Sequence, residues 1–191
     1  MHNLILFFDT ETTGIPKWKT PSTDKSQPHI VQLAAVLVDE ETKDIRQSMN
    51  VIVRPEGWEI PQETVEIHSV TTDFAMHVGV SENLALLMLF ALASSSYKRV
   101  AYNAMFDNRI IKIGTKRHGT KEMQNNWRKG KYECAMQTSR KVIGGKNPKL
   151  IDAYKHFTGK DLEGAHGAMP DTLACMKVYF AIKDQEVYKT S

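Results

Sequence analysis

The chain opens on an apolar run, Leu4 to Phe8, that leads straight into Asp9-Thr10-Glu11 and a turn at Gly14. An uninterrupted run of five apolar residues bounded by a turn signal reads as a buried strand. Residues two apart on a strand point to the same face, which places Asp9 and Glu11 side by side where the strand leaves the sheet. Two adjacent carboxylates repel each other unless cations lie between them. Such a pair at a sheet end therefore suggests a divalent metal site.

The rest of the pattern alternates between strands and helices. Val31 to Val38 and Ser48 to Val53 are expected as the second and third strands, with short connections that favour antiparallel neighbours. Ser81 offers an N-cap to an apolar helix running through Ala93, followed by a fourth strand over Lys98 to Tyr102. Phe106, Ile110 and Ile113 recur at helical spacing, which sets Asp107 near the start of a helix. A fifth strand over Tyr132 to Ala135, a helix to Gly144, another over Lys149 to Phe157 and a closing helix from Pro170 to about Lys183 complete the chain. Gly144-Gly145-Lys146 lacks the remainder of a phosphate loop and reads as a helix C-cap.

With 191 residues and 41% hydrophobic content, the chain suits one domain over residues 1–191. Cys134 and Cys175 are too few and too far apart for a disulfide scaffold or a zinc site, and a reducing cytoplasmic setting is expected. No apolar run is long enough for a membrane span, and MHNLILFF reads as a first strand, not a signal peptide. The net charge of +3 is modest, but seven Lys or Arg residues fall between Lys112 and Lys131 against a single acid, Glu122. This stretch reads equally as a solvated face or as a phosphate-tracking surface. Trp127 within it, and Trp18 in the loop from Ile15 to Pro28, fit either stacking on bases or anchoring their segments.

Four segments in order resemble the DEDDh 3′-to-5′ exonucleases, the DnaQ-like family that contains the proofreading epsilon subunit of bacterial DNA polymerase III. DTETTG (Asp9 to Gly14) is similar to the first motif, Asn103 to Asp107 to the second, and His166 with Asp171 to the third. Ile67 to Thr71 is similar to the family's I-H-G-[IV]-T segment, with Ser69 where glycine is usual, and Tyr102 stands where many relatives have histidine. The resemblance implies a ribonuclease H-like α/β fold, a mixed five-stranded sheet flanked by helices. It implies two Mg²⁺ or Mn²⁺ ions held by Asp9, Glu11, Asp107 and Asp171, with His166 as general base. An imidazole suits that task at neutral pH, and an all-oxygen ligand set selects hard cations.

Thr12, Thr13, His68, Asn103 and Phe106 are the expected substrate-binding residues, although each also fits a purely structural role. The implied activity is 3′-to-5′ hydrolysis of single-stranded DNA with a free 3′ end, releasing nucleoside 5′-monophosphates. A polymerase or replication complex is the implied protein partner. Two alternatives remain open: an exoribonuclease trimming RNA 3′ ends or degrading short oligonucleotides, and a non-catalytic nuclease-like binding module. A pure binder would gain nothing from clustered anions facing phosphate.

Overall fold

A computed structural model describes residues 3–190. Its centre is a five-stranded sheet of β1 (Leu4–Thr12), β2 (Ile30–Asp39), β3 (Ile45–Ile52), β4 (Lys98–Ala101) and β5 (Tyr132–Cys134) in the order β3-β2-β1-β4-β5. β3, β2 and β1 pair antiparallel, whereas β1, β4 and β5 pair parallel. The sheet is therefore mixed, as expected. The helices are α1 (Gln62–His68), α2 (Thr72–Val78), α3 (Glu82–Ser94), α4 (Ala104–His118), α5 (Lys121–Lys129), α6 (Ala135–Ile143), α7 (Leu150–Thr158) and α8 (Ala168–Thr190). None is long and apolar enough to cross a membrane.

Alternation along β1 divides the core. Leu6 and Phe8 pack with Leu86, Leu89, Ile110 and Ile111 of α3 and α4. Ile5 and Phe7 pack with Cys175, Val178 and Tyr179 of α8 on the other face. Each layer buries a continuous apolar surface, at about 25 cal/mol per Å² removed from water, and the sheet is held from both sides.

Several boundaries differ from the sequence expectation. β1 does not stop at Phe8 but runs to Thr12, because the polar residues after Phe8 continue the ladder with β2, Asp9 opposite Ala34 and Glu11 opposite Gln32. β3 likewise starts at Ile45, three residues early, on an exposed sheet margin where alternation is weak. The segment around His68, for which no helix was expected, contains the two seven-residue helices α1 and α2. Thr71 caps α2 by accepting from Phe74 N. The N-cap at Ser81 is present, its hydroxyl accepting from Leu84 N at 3.2 Å. Gly144 ends α6 with a positive φ of 82°, a backbone that glycine adopts without strain. Both cysteines are free.

Candidate metal centre and active site

The two faces of β1 aim its polar end at two helices. Asp9 and Glu11 continue the face of Ile5 and Phe7, toward α8 and Asp171 in its first turn. Thr10 lies on the opposite face, toward α4. Its backbone N–H and its hydroxyl both donate to Asp107 Oδ1, at 3.1 and 2.8 Å. Asp107 is 2% exposed and belongs to the first turn of α4. One strand thus carries two acids and fixes a third from the neighbouring helix.

Ligand oxygens of Asp9, Glu11 and Asp171 lie within 4.8 Å of one another. The Oδ1 atom of Asp171 is buried with no hydrogen-bond partner, an arrangement that a cation would satisfy. Burial raises the pKa of all four acids, and repulsion from neighbouring carboxylates adds to it for Asp9, Glu11 and Asp107. Burial first, then the charges of Asp107, Glu11 and Asp171, hold the Asp9 carboxyl well above the usual range. Burial, then Asp171 and Asp107, push Glu11 up to about 8. Burial raises Asp107 to about 7 against the opposing hydrogen bonds from Thr10. Asp171 is raised by burial despite a hydrogen bond from the His166 backbone. The cluster is an all-oxygen donor set that could hold a hard divalent cation.

His166 is exposed on the loop before α8 and adopts φ 67°. A non-glycine residue in the left-handed region is costly, and such outliers concentrate at functional sites. The start of α8 is tied to the sheet by Gln32, whose Oε1 accepts from Ala168 N at 3.2 Å.

Of the expected substrate-binding residues, Thr12 and Thr13 spend their hydroxyls on the backbone. Thr12 Oγ1 donates to Gly14 O at 2.8 Å, and Thr13 Oγ1 accepts from His29 N at 2.9 Å. His68 is 7% exposed. Its Nδ1 accepts from Val70 N at 3.1 Å, and burial lowers its pKa while the Thr12 backbone acts the other way. Ser69 takes φ 61°, a conformation that explains why glycine is usual there. Asn103 is the exposed N-cap residue of α4, its side chain making no cap bond. Phe106 is half-buried against the α3/α4 core.

Residues 6–179 match the profile of the RNase T family, described as exonuclease. The chain belongs to the exonuclease family. The DEDDh recognition and the ribonuclease H-like architecture expected from the motifs both hold. Comparison by sequence with curated proteins finds no match. Among solved structures, E. coli exonuclease I in complex with a dT13 oligonucleotide superposes with a TM-score of 0.78 at 17% identity, covering 98% of this chain and 43% of that one. The zinc-bound form of the same enzyme with single-stranded DNA gives 0.74 at 18%, over 97% and 41% of the two chains. A full-length 3′-exonuclease gives 0.70 at 13%, over 97% and 62%. The chain therefore spans about two fifths of the exonuclease I polypeptide it resembles.

The basic stretch is not one free surface. Arg117 donates to the carbonyls of Gln27 and Pro28 and lies 3.7 Å from Glu82. Arg109, about two turns earlier on α4, donates to Thr20 O at 2.6 Å. Together they clamp the loop from Ile15 to Pro28, whose interior is held by Gln27, 2% exposed and bonded to the backbone of Lys17, Thr20 and Pro21. Trp127 is an anchor, 7% exposed, with its ring edge-on to Phe8 and its Nε1 donating to Asn108. Trp18 stays 48% exposed. His29 and His118, which have no metal-ligand spacing, both bond Glu82, at 3.1 and 3.0 Å.

Sequence reasoning missed Thr10 and Gln32, the residues that position Asp107 and α8. The strand alternation held a signal for Thr10, since a residue between two site acids must face the opposite helix. Gln32 left none, because its partner is a backbone amide 136 positions away.

Proposed function

We propose that this chain is a divalent-metal-dependent 3′-to-5′ exonuclease that removes nucleoside 5′-monophosphates from the 3′ end of single-stranded DNA. The observation that carries the reading is the convergence of Asp9, Glu11 and Asp171 within 4.8 Å, with Asp107 behind them and every carboxyl raised in pKa. Exonuclease I, which shares the fold, is seen with dT13 and dA16 oligonucleotides, and this supports the choice of polymer.

Two divalent ions held by Asp9, Glu11 and Asp171, with Asp107 completing the set, would neutralise the phosphoryl oxygens and ease deprotonation of water. His166 takes the proton from the attacking water, whose oxygen bonds to the last phosphorus of the strand. The bond from that phosphorus to the 3′ oxygen of the preceding nucleotide breaks. That oxygen takes up a proton and becomes the new 3′ hydroxyl. Asn103, with its side chain free of the helix cap, and the edge of Phe106 border the terminal nucleotide. Thr12 and Thr13 contribute by fixing the turn beside it, and His68 supports that turn from beneath. Exposure of His166 on a strained loop lets it approach the substrate and withdraw after proton transfer.

The test is digestion of 5′-labelled single-stranded DNA, duplex DNA, single-stranded RNA and dinucleotides with Mn²⁺. Fastest shortening of single-stranded DNA from its 3′ end is expected. Preference for RNA or for dinucleotides would move the substrate assignment, and the absence of nucleotide release from all four would leave only a binding module.

A further inference from the structure

Arg99 on β4 is a buried cation without an anion. It is 4% exposed. Its Nη2 donates to the carbonyls of Trp127 and Gly130 at 2.7 and 3.0 Å, and its guanidinium carbon lies 3.6 Å above the Trp127 ring. Its Nη1 is buried with no hydrogen-bond partner, and among the described residues no carboxylate pairs with it. Burial lowers its pKa to about 10, so it remains charged at neutral pH. An unpaired buried charge costs several kcal/mol, and an apolar residue at the same place would pack without that penalty. A structural role is met by Nη2 alone and leaves Nη1 unexplained.

Arg99 lines a cavity of about 560 Å³ between α4, α5 and β5, together with Asn108, Lys112, Lys116, Arg128 and Tyr132. No acidic residue lines it. Lys112, Lys116 and Arg128 are exposed, and none of them forms an ion pair among the described residues. Asn108, Lys112 and Lys116 follow at intervals of four on one face of α4, so the lining extends about 12 Å along the helix axis. It begins at the residue after Asp107. This face is separate from that of Arg109 and Arg117, which are occupied by the loop carbonyls.

We propose that this cavity binds a phosphate group of the nucleic-acid strand, with Arg99 as its floor and Lys112, Lys116 and Arg128 as its rim. The assignment to a strand rests on the exonuclease reading above. It is favoured over a free anion by the rim, which is spread along α4 toward Asp107, and by Tyr132. Tyr132, which lines the cavity, is 57% exposed and offers a ring on which a base can stack. The unpartnered Nη1 at the floor suits a phosphate oxygen, since a charged donor forms a strong hydrogen bond and desolvation strengthens it.

The decisive experiment is equilibrium binding of a fluorescent oligothymidylate to the full chain in EDTA, as a function of salt. The triple variant Lys112→Ala/Lys116→Ala/Arg128→Ala is compared with wild type and with a charge-matched control, Arg140→Ala/Lys146→Ala/Lys160→Ala. Loss of the phosphate held at this cavity should flatten the log–log salt slope by about 0.7, the value for one single-strand phosphate contact. Weaker binding by about tenfold or more should accompany it, in the triple variant alone. Arg99→Gln should weaken binding in the same direction. The exposed rim residues keep the test readable if Arg99→Gln fails to fold. An unchanged slope in the triple variant, or an equal drop in the control, overturns the proposal. Inorganic phosphate raising the melting temperature of wild type but not of the triple variant, with oligonucleotide binding unchanged, would assign the cavity to a free anion and overturn the strand assignment. Because no turnover is required, an inactive enzyme would count against the proposed function and leave this binding result standing.

Discussion

Replacing Glu11 with Gln should stabilise the metal-free protein and change how its stability depends on pH. The Glu11 carboxyl rises from 4.5 in an unstructured chain to about 8 in the fold, through burial and then the charges of Asp171 and Asp107. A carboxyl whose native pKa is raised favours the fold least when deprotonated. Its full benefit is present below the unfolded value and is lost as pH climbs toward the native one. At neutral pH the gap from 4.5, at about 1.4 kcal/mol per pH unit, amounts to about 3 kcal/mol against folding. Neighbouring acids titrate together, so this is an upper scale for one residue. Glutamine carries no charge to expel. In EDTA at neutral pH, Glu11→Gln should therefore gain up to about 3 kcal/mol, or about 6–12 °C in melting temperature for a chain of this size. Urea unfolding between about pH 5 and pH 9 should show wild-type stability falling as pH rises, with a shallower fall in Glu11→Gln. Saturating Mg²⁺ should reverse the order, since only the intact cluster gains binding energy. Wild-type stability that stays level or rises across that range in EDTA, with Glu11→Gln no more stable, would refute the repulsion argument.

Two further substitutions probe the rest of the site. His166→Ala should lower kcat by about 10²- to 10⁴-fold and remove the ascending acid limb of the pH–rate profile, while metal-induced stabilisation stays intact; a wild-type profile in the variant would exclude the histidine as the base. Glu82→Gln should cost on the order of 3 kcal/mol, because a buried acid 3% exposed then no longer neutralises Arg117. Burial would raise the Glu82 pKa, but bonds from His118, His29 and Ile30 N outweigh it and hold the carboxyl at about 2. Its contribution is thus present above about 4.5 and lost as pH falls toward 2. Urea midpoints measured at about pH 6 and pH 3 should converge between wild type and variant at the lower value, and a constant gap would contradict the network.

The acidic cluster of the candidate site was legible from acids two apart on a strand, together with the resemblance of the Asn103 to Asp107 and His166 to Asp171 segments to the DEDDh motifs. The alternation of β1 placed Asp9 and Glu11 on one face of the sheet. What escaped was decided by long-range pairing. Polar residues after Phe8 look like a loop, yet β2 holds them in the sheet. The helices α1 and α2 have seven residues each, too short for periodicity to declare them. Charge counts could not separate Arg109 and Arg117, consumed by loop carbonyls, from Lys112 and Lys116 in the open cavity. Arg99 drew no notice in a strand, since only the tertiary structure shows that it has no anion.

The most direct test of the central claim uses one single-stranded DNA, labelled at the 5′ end, with either a 3′ hydroxyl or a 3′ phosphate. It is incubated with wild type and with Asp9→Ala, in EDTA and in Mn²⁺. A ladder shortening from the 3′ end only for wild type, only with Mn²⁺ and only on the hydroxyl-ended strand is the predicted result. Equal digestion by Asp9→Ala, digestion in EDTA, or cleavage indifferent to the 3′ phosphate would contradict a carboxylate metal centre acting on free 3′ ends.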